Sequence, residues 1–87
     1  MNYELSQNYP NPFNPSTTIR FSLSESSFIN LSIYNSLGEK IEELVNEVKE
    51  AGIHTVEFSA DNLPSGTYVY RINANIYTQT KKMILLK

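Results

Sequence analysis

A turn followed by a strictly alternating run constrains the fold of this chain more than any other feature. Pro64, Ser65 and Gly66 form the turn, because proline fixes φ, glycine tolerates positive φ and serine bonds its own backbone. Aromatic and β-branched residues, which favour strands, fill the run that follows. Its side chains alternate between two faces, with Tyr68, Tyr70, Ile72 and Ala74 on one and Val69, Arg71 and Asn73 on the other. This pattern predicts a central strand, with other strands beside it or across from it.

Tyr68 has two interpretations. It lies two residues after the turn glycine, Gly66, where a tyrosine corner of a two-sheet sandwich places its ring. In that device the phenol hydroxyl bonds back to upstream backbone. The position favours such a corner over a plain buried aromatic ring.

Three further segments alternate in the same way. Residues 18–23 and 28–35 carry apolar side chains at every second position, and residues 52–58 place His54, Val56 and Phe58 on one side. Such alternation is typical of half-buried strands. A short polar turn separates the first two segments, so they are predicted to form an antiparallel pair. About seven strands at this spacing predict an all-β sandwich of two sheets.

The last predicted strand spans residues 77–86, after a tight hairpin at Asn73-Ala74-Asn75, since asparagine tolerates left-handed geometry. It ends in Met83-Ile84-Leu85-Leu86, which is apolar on both faces. A strand buried on both faces has this pattern, and so does a terminal strand that needs a partner. Three lysines make this end basic: Lys81, Lys82 and Lys87.

Residues 39–50 fit two structures. Ile41, Leu44, Val45 and Val48 recur at helical spacing. A strand with a bulge would also turn Ile41 and Val45 inward, because one extra residue shifts the parity. The flanking strands and the lack of a capping residue before Glu39 favour the bulged strand. The five glutamates and two lysines of this segment indicate a solvated face.

Residues 1–17 are predicted to form an extended, proline-rich lead. Pro10, Pro12 and Pro15 exclude both a helix and a central strand. Tyr9 and Phe13 are predicted to anchor the lead against the side of the domain. The alternative, a flexible linker, fits the prolines but does not explain why the segment contains two aromatic residues.

Size and composition narrow the functional classes. A chain of 87 residues is one domain with a modest core. Its net charge of −2 gives no electrostatic footprint for nucleic acid. There is no cysteine and no apolar run long enough to cross a bilayer. The first residues lack the features of a signal peptide, so we expect a protein that stays inside or a piece of a larger one, in which Met1 is a cloning start.

No motif predicts catalysis, a metal site or a cofactor. His54 is the sole histidine and Asp61 the sole aspartate, and no strained nucleophile turn accompanies them. We expect His54 to be a residue of the sandwich face. The glutamates at 42, 43 and 47 lack a cleft, and the three glycines are isolated. The chain is predicted not to be an enzyme.

Four blocks of sequence resemble one family. They are residues 8–19 (NYPNPFNPSTTI), 33–39 (IYNSLGE), 63–68 (LPSGTY) and 81–87 (KKMILLK). In this order and spacing they resemble the type A C-terminal sorting domains of the type IX secretion system, which are related to the immunoglobulin-like module of the flagellar hook-capping protein. Serines and a phenylalanine at 26–28 stand where the family commonly has glycine, and residues 46–48 also lack one. The departures concern loops and leave helix and strand both open at 39–50.

The resemblance implies a role in export from Bacteroidota. The family fold is an immunoglobulin-like β-sandwich of about seven antiparallel strands with Greek-key connections. Such a domain follows a larger cargo domain, which passes through the periplasm to the cell surface or the medium. Implied partners are the type IX translocon, its outer-membrane shuttle protein and a sortase-like peptidase that cuts just upstream. The implied organisation is a lead at 1–17 and a sorting domain at 18–87, with one domain overall at 5–87.

The resemblance also implies which residues the translocon recognises. These are Gly66, Tyr68, Lys81, Lys82, Met83, Ile84, Leu85, Leu86 and Lys87. A receptor could add a strand to the last strand, or seat Met83 and Leu85 in pockets. Deleting residues 85–87 is predicted to stop export and to leave the sandwich folded.

Two other functions compete with sorting. A carbohydrate-binding or adhesive module would need a row of exposed aromatic rings, for which Tyr34 and Tyr77 are the candidates. A structural spacer between catalytic domains is the second alternative.

Overall fold

The computed structural model describes residues 2–87, and Met1, the predicted start of the lead, lies outside them. Every regular element in this part of the chain is a strand. The seven strands are β1 (Glu4–Leu5), β2 (Ser16–Leu23), β3 (Ser27–Tyr34), β4 (Lys40–Lys49), β5 (Gly52–Ser59), β6 (Gly66–Ala74) and β7 (Tyr77–Leu85). Across residues 2–87, no helix has the length and apolar character needed to cross a membrane. The predicted all-β fold is confirmed.

The strands form two antiparallel sheets packed face to face. One sheet has the order β1-β2-β5 and the other β4-β3-β6-β7, which is an immunoglobulin-like arrangement with connections that cross between the sheets. The strands turn most of their apolar residues to the space between the sheets. The fully buried side chains include Ile19, Phe21, Leu23, Ile29, Leu31, Ile33, Phe58, Tyr70, Ile72, Met83 and Leu85.

The predicted pairing of residues 18–23 with 28–35 is wrong. β2 pairs with β1 and β5, whereas β3 pairs with β4 and β6. The short turn between β2 and β3 carries the chain from one sheet to the other. Both strands have one apolar face, and their placement in opposite sheets buries both faces in the shared core. Alternation specifies the buried face of a strand and leaves its neighbour undetermined.

Residues 40–49 form a bulged strand, and the helical alternative is excluded. The pairing of β4 with β3 shifts register twice, once opposite Leu31/Ser32 and once opposite Ile33/Tyr34. Extra residues at these points change the parity of β4. As a result Val45 is buried, and Ile41 and Leu44 pack partly against the core, so apolar residues at helical spacing share one face of a strand.

β6 lies inside its sheet, between β3 and β7, as its pattern predicts. The hydroxyl of Tyr68 donates to the carbonyl oxygen of Pro64 at 2.6 Å, so the tyrosine corner is confirmed. The hairpin after β6 lies later than predicted. Ala74 pairs with Tyr77, and Asn75, with a φ of 56°, and Ile76 form the two-residue turn.

Candidate recognition surface

β7 carries most of the residues that the resemblance singles out, and it is the last strand of its sheet. Its register with β6 is continuous from Ala74↔Tyr77 to Gly66↔Leu85. Without a bulge, the side chains of β7 alternate strictly between the core and the outer face.

The apolar end of β7 divides into two sets. Met83 and Leu85 are fully buried in the core. Ile84 and Leu86 are 41% and 54% exposed, and Lys82 beside them is exposed as well. A partner of the folded domain therefore has access to the second set of side chains and not to the first.

The other predicted recognition residues differ in their positions. Gly66 is exposed and pairs with Leu85, whereas Tyr68 is buried by the corner. Lys81 is half-buried opposite Tyr70, as an inward-pointing charge that protects an edge strand. The structure thus brings Gly66 and Tyr68 beside residues 81–85 along one ladder.

Lys87 is tied to the loop that precedes β6. Its backbone N–H donates to Oγ of Ser65 at 3.0 Å, and its Nζ donates to the carbonyl oxygen of Asp61 at 2.6 Å. These bonds hold the residues after β7 against the body of the domain.

A buried polar network attaches the start of the lead to the core. The Tyr70 hydroxyl donates to the carbonyl oxygen of Ser6 at 2.7 Å and accepts from the backbone N–H of Asn8 at 2.8 Å. The Asn8 amide, itself buried, donates to Pro10 O and to Thr17 Oγ1. Burial raises the pKa of Tyr70 to about 12, partly opposed by the Asn8 N–H. The neutral phenol therefore belongs to the folded structure.

The two predicted aromatic anchors of the lead have different positions. Phe13 is buried in the core, with its ring 6.1 Å from that of Phe58. The prediction for Tyr9 is wrong, because its ring is 81% exposed. Tyr9 contributes through its backbone, which exchanges two hydrogen bonds of 2.9 Å with Thr18.

After Tyr9 the lead crosses from one sheet to the edge of the other. Phe13 forms a parallel bridge with Leu85. The N–H of Phe13 donates to Ile84 O at 2.9 Å, and its carbonyl oxygen accepts from the N–H of Leu86 at 3.0 Å. The lead thus closes the side of the sandwich on which β1 and β7 lie.

Two lead side chains extend this coverage of β7. The Asn11 amide oxygen accepts from the N–H of Ile84 at 3.0 Å. Nε2 of Gln7 donates to the carbonyl oxygen of Lys82 at 2.7 Å. Sequence reasoning missed both residues, because side chains of an irregular segment carry no periodic signal. The NPF motif around Asn11 and Phe13 was the available indication.

The two edges of the four-stranded sheet differ in charge. β4 carries Glu42, Glu43 and Glu47, whereas the end of β7 carries Lys81 and Lys82. A hydrogen bond from the Asn30 amide, followed by one from Lys40 and its charge, lowers the pKa of Glu43. The basic edge is the one that the lead covers.

His54 lies on the sandwich face, as predicted. Its ring stacks on Phe21 at 5.4 Å, and Nε2 lies 2.8 Å from the carbonyl oxygen of Glu50. Asp61 accepts instead from the Ser59 hydroxyl. The structure does not bring His54 and Asp61 together as a catalytic pair.

The candidate aromatic residues for glycan binding do not form a row. Tyr34 lies under the guanidinium of Arg71, whose Cζ is 5.0 Å from the ring centroid. Tyr77 stacks on Tyr3 at 5.6 Å. The two rings occupy opposite ends of β6, since Tyr34 pairs with Val69 and Tyr77 with Ala74.

Comparisons with known proteins give three findings. A family model described as the secretion system C-terminal sorting domain matches residues 7–86. No curated protein matches the chain. A solved structure of PorZ, described as an essential bacterial surface component of the type-IX secretion system of Porphyromonas gingivalis, is similar with a TM-score of 0.65 and 16% identity. The similarity covers 98% of this chain and 11% of that one, so this chain corresponds to a small part of PorZ.

Proposed function

Because the chain belongs to the family of secretion system C-terminal sorting domains, the signals for type IX secretion, we propose that it directs a larger cargo protein through the type IX translocon. The cargo precedes this domain in the parent protein and crosses the periplasm before it reaches the cell surface or the medium. The partners are the translocon, its outer-membrane shuttle protein and a sortase-like peptidase. The domain has no catalytic role in this scheme.

We propose that the predicted recognition residues act in two different ways. Lys82, Ile84, Leu86 and Lys87 contact the receptor. Tyr68, Met83 and Leu85 are buried, so they hold β7 in position. The alternation of exposed and buried side chains at the end of β7 is the observation that carries this proposal.

Gly66 and Lys81 support the same surface. Gly66 starts β6 opposite Leu85, and Lys81 pairs with Tyr70. Both fix the register in which the exposed side chains are presented.

We propose that residues 5–87 move as one unit and that the peptidase cuts before Glu4. Leu5 and Phe13 are part of the hydrophobic core. β1 starts at Glu4, and paired, buried backbone is a poor substrate for proteolysis. The division into a lead at 1–17 and a sandwich at 18–87 describes the sequence pattern and does not mark two separate units.

The deletion of residues 85–87 is not the best test, because it removes Leu85 from the core and breaks its bridge to Phe13. Paired substitutions at the exposed positions avoid this. A fluorescent protein followed by residues 1–87 is expressed in a host with a type IX system, and its surface or medium fraction is measured.

We expect the parent fusion to be exported and the Ile84→Ser/Leu86→Ser fusion to accumulate inside. Ile53→Ser is the matched control, because it also removes an exposed isoleucine, on the other sheet. Thermal unfolding of each purified domain checks that the variants remain folded. Normal export of the double variant would refute the proposed contact surface.

A further inference from the structure

The outer edge of β7 is occupied by the lead. Along a strand, the backbone groups of every second residue point to the same side. Bonds from the lead to Lys82 O, to both backbone groups of Ile84 and to the N–H of Leu86 show that even-numbered residues face away from β6. The lead therefore fills the place of a missing neighbouring strand over residues 82–86.

The lead is a poor strand for this place. Pro10, Pro12 and Pro15 have no N–H to donate, and the lead makes one backbone bridge to β7, at Phe13. Two of its four bonds to this edge come from the side chains of Gln7 and Asn11. The backbone N–H and C=O groups of Thr78 and Thr80 point away from β6 and have no hydrogen-bond partner among residues 2–87. An ordinary strand would pair with the whole edge.

We propose that the outer edge of β7 accepts an extended segment of a partner protein by strand addition, and that lead residues 7–13 occupy this edge until the partner displaces them. This inference rests on the proposed sorting function. It gives the recognition surface on β7 a mode of binding, strand addition, and makes the lead a competitor of the partner for the same edge. The partner segment has a free N–H at every second position, which makes the ladder that the lead cannot make.

The core defines what else the partner strand must carry. Phe13 fills space beside Phe58 in the core, so an incoming strand needs an apolar side chain in register with Leu85. A cavity of that size would otherwise oppose the exchange. The two lysines at this edge favour acidic side chains flanking it.

Displacement of the lead can be local. The buried network of Asn8, Thr17 and Tyr70 holds the chain before Pro10, and β1 holds it further upstream. Residues 11–13 can therefore leave the edge, and the Gln7 side chain can release Lys82 O, while the backbone of residues 7–10 stays in place.

The first test loosens the lead without touching the core. Gln7→Ala/Asn11→Ala removes the two side-chain bonds to β7, together with the bond from Gln7 Nε2 to Asn8 Oδ1. Both substituted side chains are exposed. Each such bond that is lost raises the fraction of molecules with an open β7 edge by roughly twofold to tenfold. We expect faster hydrogen exchange at the Ile84 and Leu86 amides and a faster export of the fusion protein, because a larger fraction of molecules is competent to bind.

Asn46→Ala is the matched control for this variant. Asn46 is an exposed asparagine on β4, the opposite edge of the sheet, and its substitution removes the bond that its Oδ1 accepts from Asn30. We expect its export and the exchange of the Ile84 amide to equal those of the parent. Faster exchange at Ile84 with unchanged export in Gln7→Ala/Asn11→Ala would overturn the proposal.

The second test removes one outward N–H. Ile84→Pro and Ile84→Ala both lose the isoleucine side chain, and Ile84→Pro also loses the N–H that faces away from β6. We expect Ile84→Pro to be exported at least tenfold less than Ile84→Ala, with both domains folded by circular dichroism. Equal export of the two variants, at a measurable level, would show that the backbone edge is not used.

The tests separate this inference from the proposed function. If the parent fusion is not exported, the sorting function itself fails. If the parent is exported, the export rate of Gln7→Ala/Asn11→Ala decides whether the β7 edge is the docking site. This test remains valid if Ile84→Ala alone blocks export and the proline comparison cannot be made.

Discussion

Removing the Tyr68 hydroxyl tests the tyrosine corner that fixes the start of β6. In Tyr68→Phe the ring remains buried, so the apolar contribution to stability is retained. What is lost is the 2.6 Å bond to the carbonyl oxygen of Pro64, which then lacks a protein partner. An unpaired buried acceptor costs about 1 to 3 kcal/mol. The bond is partly buried, so we expect the lower half of that range, about 1 to 2 kcal/mol.

This loss of stability can be expressed as a decrease in melting temperature. With an unfolding entropy of about 2.1 cal/mol/K per residue, a domain of 87 residues loses about 5 to 11 °C for 1 to 2 kcal/mol. The assay is thermal unfolding by circular dichroism, with urea unfolding as a second measurement. The urea m-value should stay unchanged, because the buried surface does not change.

Tyr9→Phe is the control, because the Tyr9 ring lies in solvent and a surface change of this kind stays within about 0.5 kcal/mol. A Tyr68→Phe domain that melts within about 2 °C of the parent would refute the energetic role of the corner. Export of the folded Tyr68→Phe fusion should match the parent, since we assign Tyr68 a supporting role. Loss of export in a folded variant would instead indicate direct recognition.

Three further perturbations have defined outcomes. Because the folded pKa of Tyr70, about 12, exceeds its unfolded value of about 10, its contribution to stability is complete below about pH 10 and is lost as pH rises toward 12. Melting temperatures over this window should fall in the parent and fall less in Tyr70→Phe. Phe13→Ala removes a core ring and should cost about 3 to 5 kcal/mol in urea unfolding, with rapid exchange of the Ile84 amide. Asn75→Ala should cost about 1 to 2 kcal/mol more than Asn75→Gly, because the φ of 56° suits glycine and not alanine.

Alternation of side chains predicted most of the fold. It identified the buried faces of β2, β3, β5 and β6, because a period of two follows directly from strand geometry. The end of β7 is apolar on both faces, so the pattern did not tell which face is buried. It could not identify neighbours, so it predicts a pair of β2 and β3, which lie in opposite sheets. In β4 the bulges place Ile41, Leu44 and Val45 on one side at helical spacing. The sequence pattern therefore fits both an amphipathic helix and a bulged strand.

The candidate site was harder to predict than the fold. The end of β7 was evident from its apolar run, but its coverage by the lead joins Phe13 to Leu85 across nearly the whole chain. No local pattern encodes such a contact. The irregular lead also gave no basis for separating Phe13, which is buried, from Tyr9, which is exposed. Only tertiary packing distinguishes two aromatic residues flanking prolines.

The bridge between Phe13 and Leu85 has a consequence for the time at which the domain can close during synthesis. A ribosome adds residues 82–86 long after it has made residues 7–13, and until then Phe13 has no β7 backbone to bind. A chain that stops short of these residues leaves its early aromatic ring and its proline-rich segment without their place in the core. Completion of this sandwich therefore reports that translation has continued through Leu86, and prematurely terminated products lack a closed domain to present.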